Sequence, residues 1–403
     1  MRQRRRDRPD EQRRVCVIRQ FYFPQDVRVR REVEALSEQG YRVDVLCLAL
    51  AGQPRNERLG SVEVHRLNMM HRRGRAERYL LEYGAFFLWA FAKASRMHAR
   101  HRYRLVQVHT VPDALVFAAA FPKLLGASII LDMHEVMPEL FASKFGDNRT
   151  AVRLLELVER LSASFADRVL TVSRPTWKVL VGRGVPPRKL EIVMNTPDDR
   201  IFTPSDGSLA PRHNSDAGLT LVSHGALIER YGYQTILQAL KEIRESHPQV
   251  RLLIMGHGEY EATLRELVRE LALEKNVEIL GFKPLEEVVD ILRSADIGVT
   301  ANTNDIFTQL IVPTKLMEYV ALGIPAVVSR LPAVEDYFDE TMVNFFDPDD
   351  PQDLASVICS VADDLGKARA TAQRTRERFL AEYGWTKMKA RYLQVVDALV
   401  DVP

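Results

Sequence analysis

Long apolar runs are missing from this 403-residue chain: nowhere do about 18 apolar residues stand together, so no segment qualifies as a membrane-spanning helix. Cysteine is scarce as well. Cys16, Cys47 and Cys359 lie far apart without metal-ligand spacing, and two of them sit inside apolar runs with strand character, which excludes a disulfide scaffold and fits a reducing cytoplasm. The opening stretch MRQRRRDRPDEQRR holds seven Arg but no apolar signal core follows it, so the expectation is a protein neither secreted nor membrane-spanning. Glycine is lacking where a dinucleotide-binding turn would need it. The segment after the first apolar strand, Arg19-Gln-Phe-Tyr-Phe-Pro24, has none, and no Walker A sequence occurs.

What is present is an ordinary globular composition, 46% hydrophobic and 27% charged, which excludes disordered, collagenous and coiled-coil chains. The length suits two domains of roughly 150 to 200 residues each. A net charge of +2 conceals a strong asymmetry: residues 1–200 hold 36 Lys and Arg against 23 Asp and Glu, whereas residues 201–403 hold 20 against 31. A basic half suits an anionic partner such as a lipid headgroup, a phosphorylated acceptor or nucleic acid; solvated helix faces account for it equally well.

Short β-branched runs alternate with helical periods. Strands are expected at Val15–Ile18, Val43–Leu50, Leu105–His109, Ser128–Leu131, Arg168–Val172 and Glu191–Met194, and Val29, Val33 and Leu36 recur on one helix face that Gly40 closes. The Pro, Gly and polar-rich stretch 196–218 reads as a linker. The alternation then restarts with strands at Leu219–Ser223, Val250–Met255, Val277–Leu280, Asp296–Thr300, Ala326–Ser329 and Val343–Phe346, and with a helix over 261–271. The fold class expected is α/β, two Rossmann-like doubly wound parallel-sheet domains facing a cleft. The division is a flexible basic tail at 1–14, a first domain at 15–200, a linker at 201–218, a second domain at 219–384, and a C-terminal helix at 385–403 that returns to the first domain.

Three loops of the second half carry what a phosphorylated ligand needs. In Ser223-His-Gly-Ala-Leu-Ile-Glu-Arg-Tyr-Gly232, Gly225 allows close backbone approach and Arg230 can donate twice to a phosphate. In Met255-Gly-His-Gly-Glu259, Gly256, His257 and Gly258 stand between a strand and a helix start. In the run from Ile311 to Pro325, Pro313 and Thr314 open a helix whose first turn holds Lys315, a cation opposing the helix dipole. A bound pyrophosphate would account for it, and Glu318, one turn on, could accept hydrogen bonds from two ribose hydroxyls. An ordinary Lys–Glu surface pair is the competing account.

The Pro-Thr-Lys-x-x-Glu-Tyr-x-Ala-x-Gly-x-Pro run, preceded by Gly225 to Gly232 and Gly256-His-Gly258, resembles the donor-binding domain of family 4 glycosyltransferases, which have the GT-B architecture. The first half matches too, in Phe23 to Glu32, Val108-His-Thr-Val-Pro-Asp113, Leu131-Asp-Met-His-Glu135 and Asn195. The resemblance implies a retaining transfer from a nucleotide sugar, a UDP-sugar first and a GDP-sugar second, to a hydroxyl acceptor: a lipid-linked saccharide, a polysaccharide or an aglycone. It implies that Arg230 and Lys315 clamp the leaving group, that Glu318 holds the ribose, that Gly256 and Gly258 approach the nucleotide, and that Phe282 and Lys283 lie near the base. His134 and Asp113 would be cleft residues near the reacting groups. No cofactor beyond the donor is expected, no nucleic acid, and no metal, because no Asp-x-Asp or His/Asp cluster shows suitable spacing.

Two departures stand out. The family often places a first Glu ahead of Glu318 to contact the sugar, and that position is Leu310; the usual Arg and Lys of the first loop are Ala226 and Tyr231, which leaves Arg230 to replace them. The alternatives are a nucleotide-sugar 2-epimerase of the same fold and a non-catalytic nucleotide-sugar-binding partner subunit. Residues 71–91 join Arg72, Arg73, Arg75 and Arg78 to an aromatic run with Phe86, Phe87, Trp89 and Phe91, a candidate peripheral contact with an anionic membrane at the inner face of the cell membrane.

Overall fold

The structure, a computed structural model, describes residues 13–69, 76–146, 148–204 and 218–400, the side chains of 76–80 excepted. Most of the expected basic tail and linker lies outside these residues, as do Arg72, Arg73, Arg75 and the side chain of Arg78. The chain forms two units. One runs through Met194 and takes back the segment from Lys389 onward; the other spans Asn195–Met388.

The first unit is built on eight strands: β1 Arg14–Tyr22, β2 Arg42–Leu48, β3 Asn56–Leu59, β4 Val62–Leu67, β5 Leu105–His109, β6 Ser128–Met133, β7 Arg168–Thr171 and β8 Leu190–Ile192. Their order across the sheet is β3-β4-β2-β1-β5-β6-β7-β8. The central strands are buried and largely apolar, interrupted by the buried polar residues Asp44, Gln107 and Asp132. The helix Val27–Glu38 shows how locally this is specified: Asp26 caps it by accepting from the Arg28 amide, Val29, Val33 and Leu36 face the core, and Gly40 follows at φ +87°.

Sequence reading missed β3 and β4, which form an antiparallel hairpin turned by Gly60 at φ +62°. β4 alternates buried and half-buried residues, a period-two edge pattern without the apolar run of the central strands. The sheet is therefore parallel except at this edge.

The helix Ala76–His101 corrects the aromatic docking expectation. Phe86, Ala90, Ala94 and Met97 point into the core of the unit, and Phe87 and Trp89 pack against it. The apolar residues that do face outward are Leu81, Leu88 and Phe91.

The second unit has six parallel strands: β9 Thr220–His224, β10 Arg251–Met255, β11 Val277–Gly281, β12 Ile297–Thr300, β13 Ala326–Ser329 and β14 Asn344–Phe346, ordered β11-β10-β9-β12-β13-β14. Its boundary precedes the expected one. Phe202 is buried, the Thr203 carbonyl accepts from Arg293, and the Asp199 carboxylate caps the last helix by accepting from the Trp385 and Thr386 amides at 2.7 and 3.0 Å. The residues after Asn195 thus belong to the second core. In each sheet the order in which strands are added reverses beside the first strand, between β1 and β5 and between β9 and β12, the switch points where ligands of such sheets bind.

Candidate functional site

In the second unit the loops after β9, β10 and β11 are joined edge to edge. The Gly225 amide donates to the Met255 carbonyl at 2.9 Å, and the Gly256 amide donates to the Gly281 carbonyl at 2.9 Å. A Cβ on Gly256 would collide with the Gly225 carbonyl, and one on Gly258 with the Leu227 carbonyl. Loop-on-loop packing therefore requires glycine at both positions. His257 is exposed and lends its carbonyl to the Leu227 amide. Phe282 stands 81% exposed beyond β11, an aromatic face free for stacking, while Lys283 is ion-paired with Glu287 at 3.2 Å on the following helix.

Around this rim sit two cations with unmet hydrogen-bonding capacity. Arg230 lies on a single 3₁₀ turn, Glu229–Tyr231, with its guanidinium 5.3 Å from the Phe307 ring centre and a buried Nη1 that has no partner. Lys315 occupies the first turn of the helix Thr314–Leu322, which starts at exposed Thr314 and has no side-chain cap. Its ammonium rests 4.9 Å from the Tyr233 ring centre and 5.2 Å from that of Tyr231, and it too has no hydrogen-bond partner. Burial pulls the Lys315 pKa down to about 7 against the opposing pull of Glu318. A buried ammonium with no acceptor is costly, and an anion placed against it would relieve that cost.

Glu318 is already engaged on one side. Its Oε2 accepts from His224 Nε2, and His224 Nδ1 lies 3.2 Å from the Tyr319 hydroxyl. His224 closes β9 and holds the carboxylate in place, a partnership that the sequence does not reveal because the two residues lie 94 positions apart.

In the first unit His134 follows β6 and is 7% exposed. It stands beside His109, the last residue of β5, and Asp132 on β6, a cluster that residue spacing did not reveal because adjacent strands bring it together. Burial pushes His134 well below the usual imidazole range, so it is neutral near pH 7. Asp113 does not join this group: it shares no hydrogen bond with it among the described residues. It opens the 3₁₀ segment Asp113–Ala119 and is buried, and burial together with Glu159 raises its pKa to about 8, so it is protonated at neutral pH. A protonated Asp113 can donate a hydrogen bond as well as accept one. Leu310, where a sugar-contacting Glu was expected, ends the short turn Thr308–Leu310 and is partly buried.

Comparison with known proteins accounts for most of the chain. Residues 211–378 match the family described as glycosyl transferases group 1, and residues 25–196 match the glycosyl transferase 4-like domain. Among curated proteins, the amylovoran biosynthesis glycosyltransferase AmsK of Erwinia amylovora is 27% identical over a stretch covering 57% of this chain and 50% of that protein. The chain spans about half the length of the curated relatives of this kind. Sucrose-phosphate synthase from Thermosynechococcus elongatus superposes with a TM-score of 0.77 at 20% identity, covering 97% of this chain and 100% of the other. HepE from Anabaena in complex with UDP-glucose does so with a TM-score of 0.72 at 15% identity, covering 96% and 99%. These likenesses show the fold: two Rossmann-like α/β domains, as in GT-B proteins.

Proposed function

The chain belongs to the group 1, family 4 glycosyltransferases, and on that premise we propose that it moves a sugar from a nucleoside-diphosphate sugar to a hydroxyl acceptor with retention of configuration. The observation that carries this reading is Lys315, a buried ammonium without an acceptor in the first turn of a helix, with a second unpartnered cation, Arg230, on the loop whose tyrosines it touches. That is the equipment for a diphosphate leaving group.

As the bond from the anomeric carbon to the diphosphate oxygen breaks, negative charge grows on the diphosphate, and Arg230, Lys315 and the helix start stabilise it. The acceptor oxygen forms the new glycosidic bond, and its proton passes to a phosphate oxygen of the leaving nucleotide. Glu318, steadied by His224, takes ribose hydroxyls, and Phe282 offers a stacking face to the base. Fixed cations do this work, so the reaction runs without a metal. The UDP-glucose bound by a protein of this fold favours a uridine nucleotide, with guanosine second.

The acceptors are saccharides or lipid-linked saccharides. The outward Leu81, Leu88 and Phe91 with the basic residues before them support contact with an anionic membrane surface. No described helix is long and apolar enough to cross a membrane.

The test is incubation with a panel of UDP-, GDP- and TDP-sugars, with and without saccharide acceptors. Transfer, or slow release of free sugar, supports the proposal. An epimerised nucleotide sugar would make the protein an isomerase, and binding without turnover would make it a partner subunit.

A further inference from the structure

Behind His134 lies a buried polar chain that leaving-group stabilisation does not require. The rings of His109 and His134 are parallel to within 3°, their centres are 5.3 Å apart, and His109 Nδ1 lies 3.0 Å from His134 Nε2. That separation is the N···N distance plus one ring radius on each side, the longest that such a contact permits. Both nitrogens therefore lie on the line of centres and the rings share a plane, so the N–H of one ring points along the lone pair of the other. Two imidazoles serving one metal ion aim their lone pairs at a common third point instead. Although ligand atoms of His109, Asp132 and His134 lie within 4.8 Å of one another, the arrangement is that of a hydrogen bond. Asp132 Oδ2 stands 3.0 Å from His109 Nδ1, off the line of the shared proton and without a hydrogen bond of its own.

Which ring donates is decided one step further back. Gln107 Nε2 lies 2.5 Å from Glu32 Oε2 and 3.3 Å from His109 Nε2, and Gln107 Oε1 accepts from the Tyr392 hydroxyl at 2.6 Å. Burial and the neighbouring Asp132 push the Glu32 carboxyl well above its usual range. Glu32 Oε2 accepts from the Gln107 amide nitrogen, and the amide oxygen faces the Tyr392 hydroxyl. The Gln107 amide must therefore turn its nitrogen toward Glu32 and its second N–H toward His109 Nε2. His109 Nε2 is then bare, its proton sits on Nδ1 and goes to His134 Nε2, and neutral His134 keeps its own proton on Nδ1. That last nitrogen is buried and has no partner, and it lies just past the carboxyl end of β6, where such a sheet receives its ligand.

We propose that Tyr392, Gln107 and His109 are positioning residues that lock His134 in its Nδ1–H tautomer, so that His134 meets the nucleotide sugar as a hydrogen-bond donor to one of its oxygens and never as a base. The role toward substrate rests on the transferase reading above. Tyr392 belongs to the segment that rejoins the first unit from Lys389 onward, so this return also completes the relay.

The experiment is long-range ¹H–¹⁵N correlation of ¹⁵N-histidine-labelled protein near pH 7, with the His134 signals assigned by their loss in His134→Gln. The expected pattern is a protonated Nδ1 and a bare Nε2 on both His134 and His109. In His109→Leu the His134 tautomer becomes mixed or reversed, and kcat falls at least about tenfold, as for other wrongly held tautomers, with KM for the donor little changed. His109→Asn, whose amide N–H can stand in for Nδ1–H, restores both. Tyr392→Phe frees the Gln107 amide to turn and serves where His109→Leu does not fold.

A protonated Nε2 on wild-type His134 would overturn the proposal. So would an unchanged His134 tautomer in His109→Leu, or a stoichiometric divalent ion that His109→Leu abolishes. The tautomer is read without substrate, so failure of every donor to turn over would count against the transferase reading and leave this result standing.

Discussion

Lys315 should make nucleotide binding take up a proton. Its ammonium is enclosed by Tyr231 and Tyr233, faces no acceptor, and has a pKa of about 7, brought down by burial against the pull of Glu318. A diphosphate placed against it favours the charged form, so the pKa rises in the complex. The sign follows: a group that binds its proton more tightly in the complex strengthens binding as pH falls toward its free pKa, and binding levels off below that. At pH 8 roughly nine in ten free molecules carry neutral Lys315, so binding should draw in about 0.9 proton, and affinity should fall by nearly tenfold per pH unit above pH 8.

The assay is calorimetric titration of UDP and of GDP at pH 8 in two buffers of different ionisation enthalpy, followed by a pH series from 7 to 9, where the nucleotide phosphates are already ionised. Lys315→Met should bind weakly and without proton uptake, which separates Lys315 from the His224–Glu318 pair. A binding heat independent of buffer, together with an affinity that stays flat across the series, would refute the reasoning.

Transfer or donor hydrolysis should proceed at full rate in excess EDTA; activity lost to the chelator and restored by Mg²⁺ or Mn²⁺ would show that Arg230 and Lys315 do not suffice. Glu318→Ala should weaken nucleotide binding by roughly 2–3 kcal/mol, and His224→Leu by about 1 kcal/mol through the loosened carboxylate, both read by calorimetry on folded variants. In the absence of nucleotide, Lys315→Met should be more stable than wild type near pH 7 by roughly 1–3 kcal/mol in denaturant titration, because it removes a buried charge. That gain should shrink as pH rises from 7 toward 10.5, where the wild-type lysine is neutral in the folded state and still charged when unfolded. Sedimentation with anionic vesicles should decline with salt and be lost in Leu81→Glu combined with Leu88→Glu; equal pelleting with neutral vesicles would reject the electrostatic part of this contact.

The sequence by itself determined the architecture of both halves. Buried parallel strands are rich in apolar and β-branched residues, so β5 and β13 were legible to the residue in spite of Gln107 and His109, and the helix Val27–Glu38 announced itself through its apolar stripe and Gly40. The Lys315 helix was legible as well, since a cation in a first turn after Pro313 is a local anomaly that calls for an anion. Tertiary structure decided matters of partnership. Whether Gly256 serves a ligand or a neighbouring loop, whether Phe86 faces a membrane or a core, and whether Asp113 is ionised all depend on what surrounds the residue, and its neighbours in sequence do not say. The relay behind His134 shows this most fully: Glu32, Gln107, His109 and Tyr392 come from a helix, one strand and the far end of the chain. A hydrogen-bond direction is set by atoms within about 3 Å, and only folding brings those atoms that close.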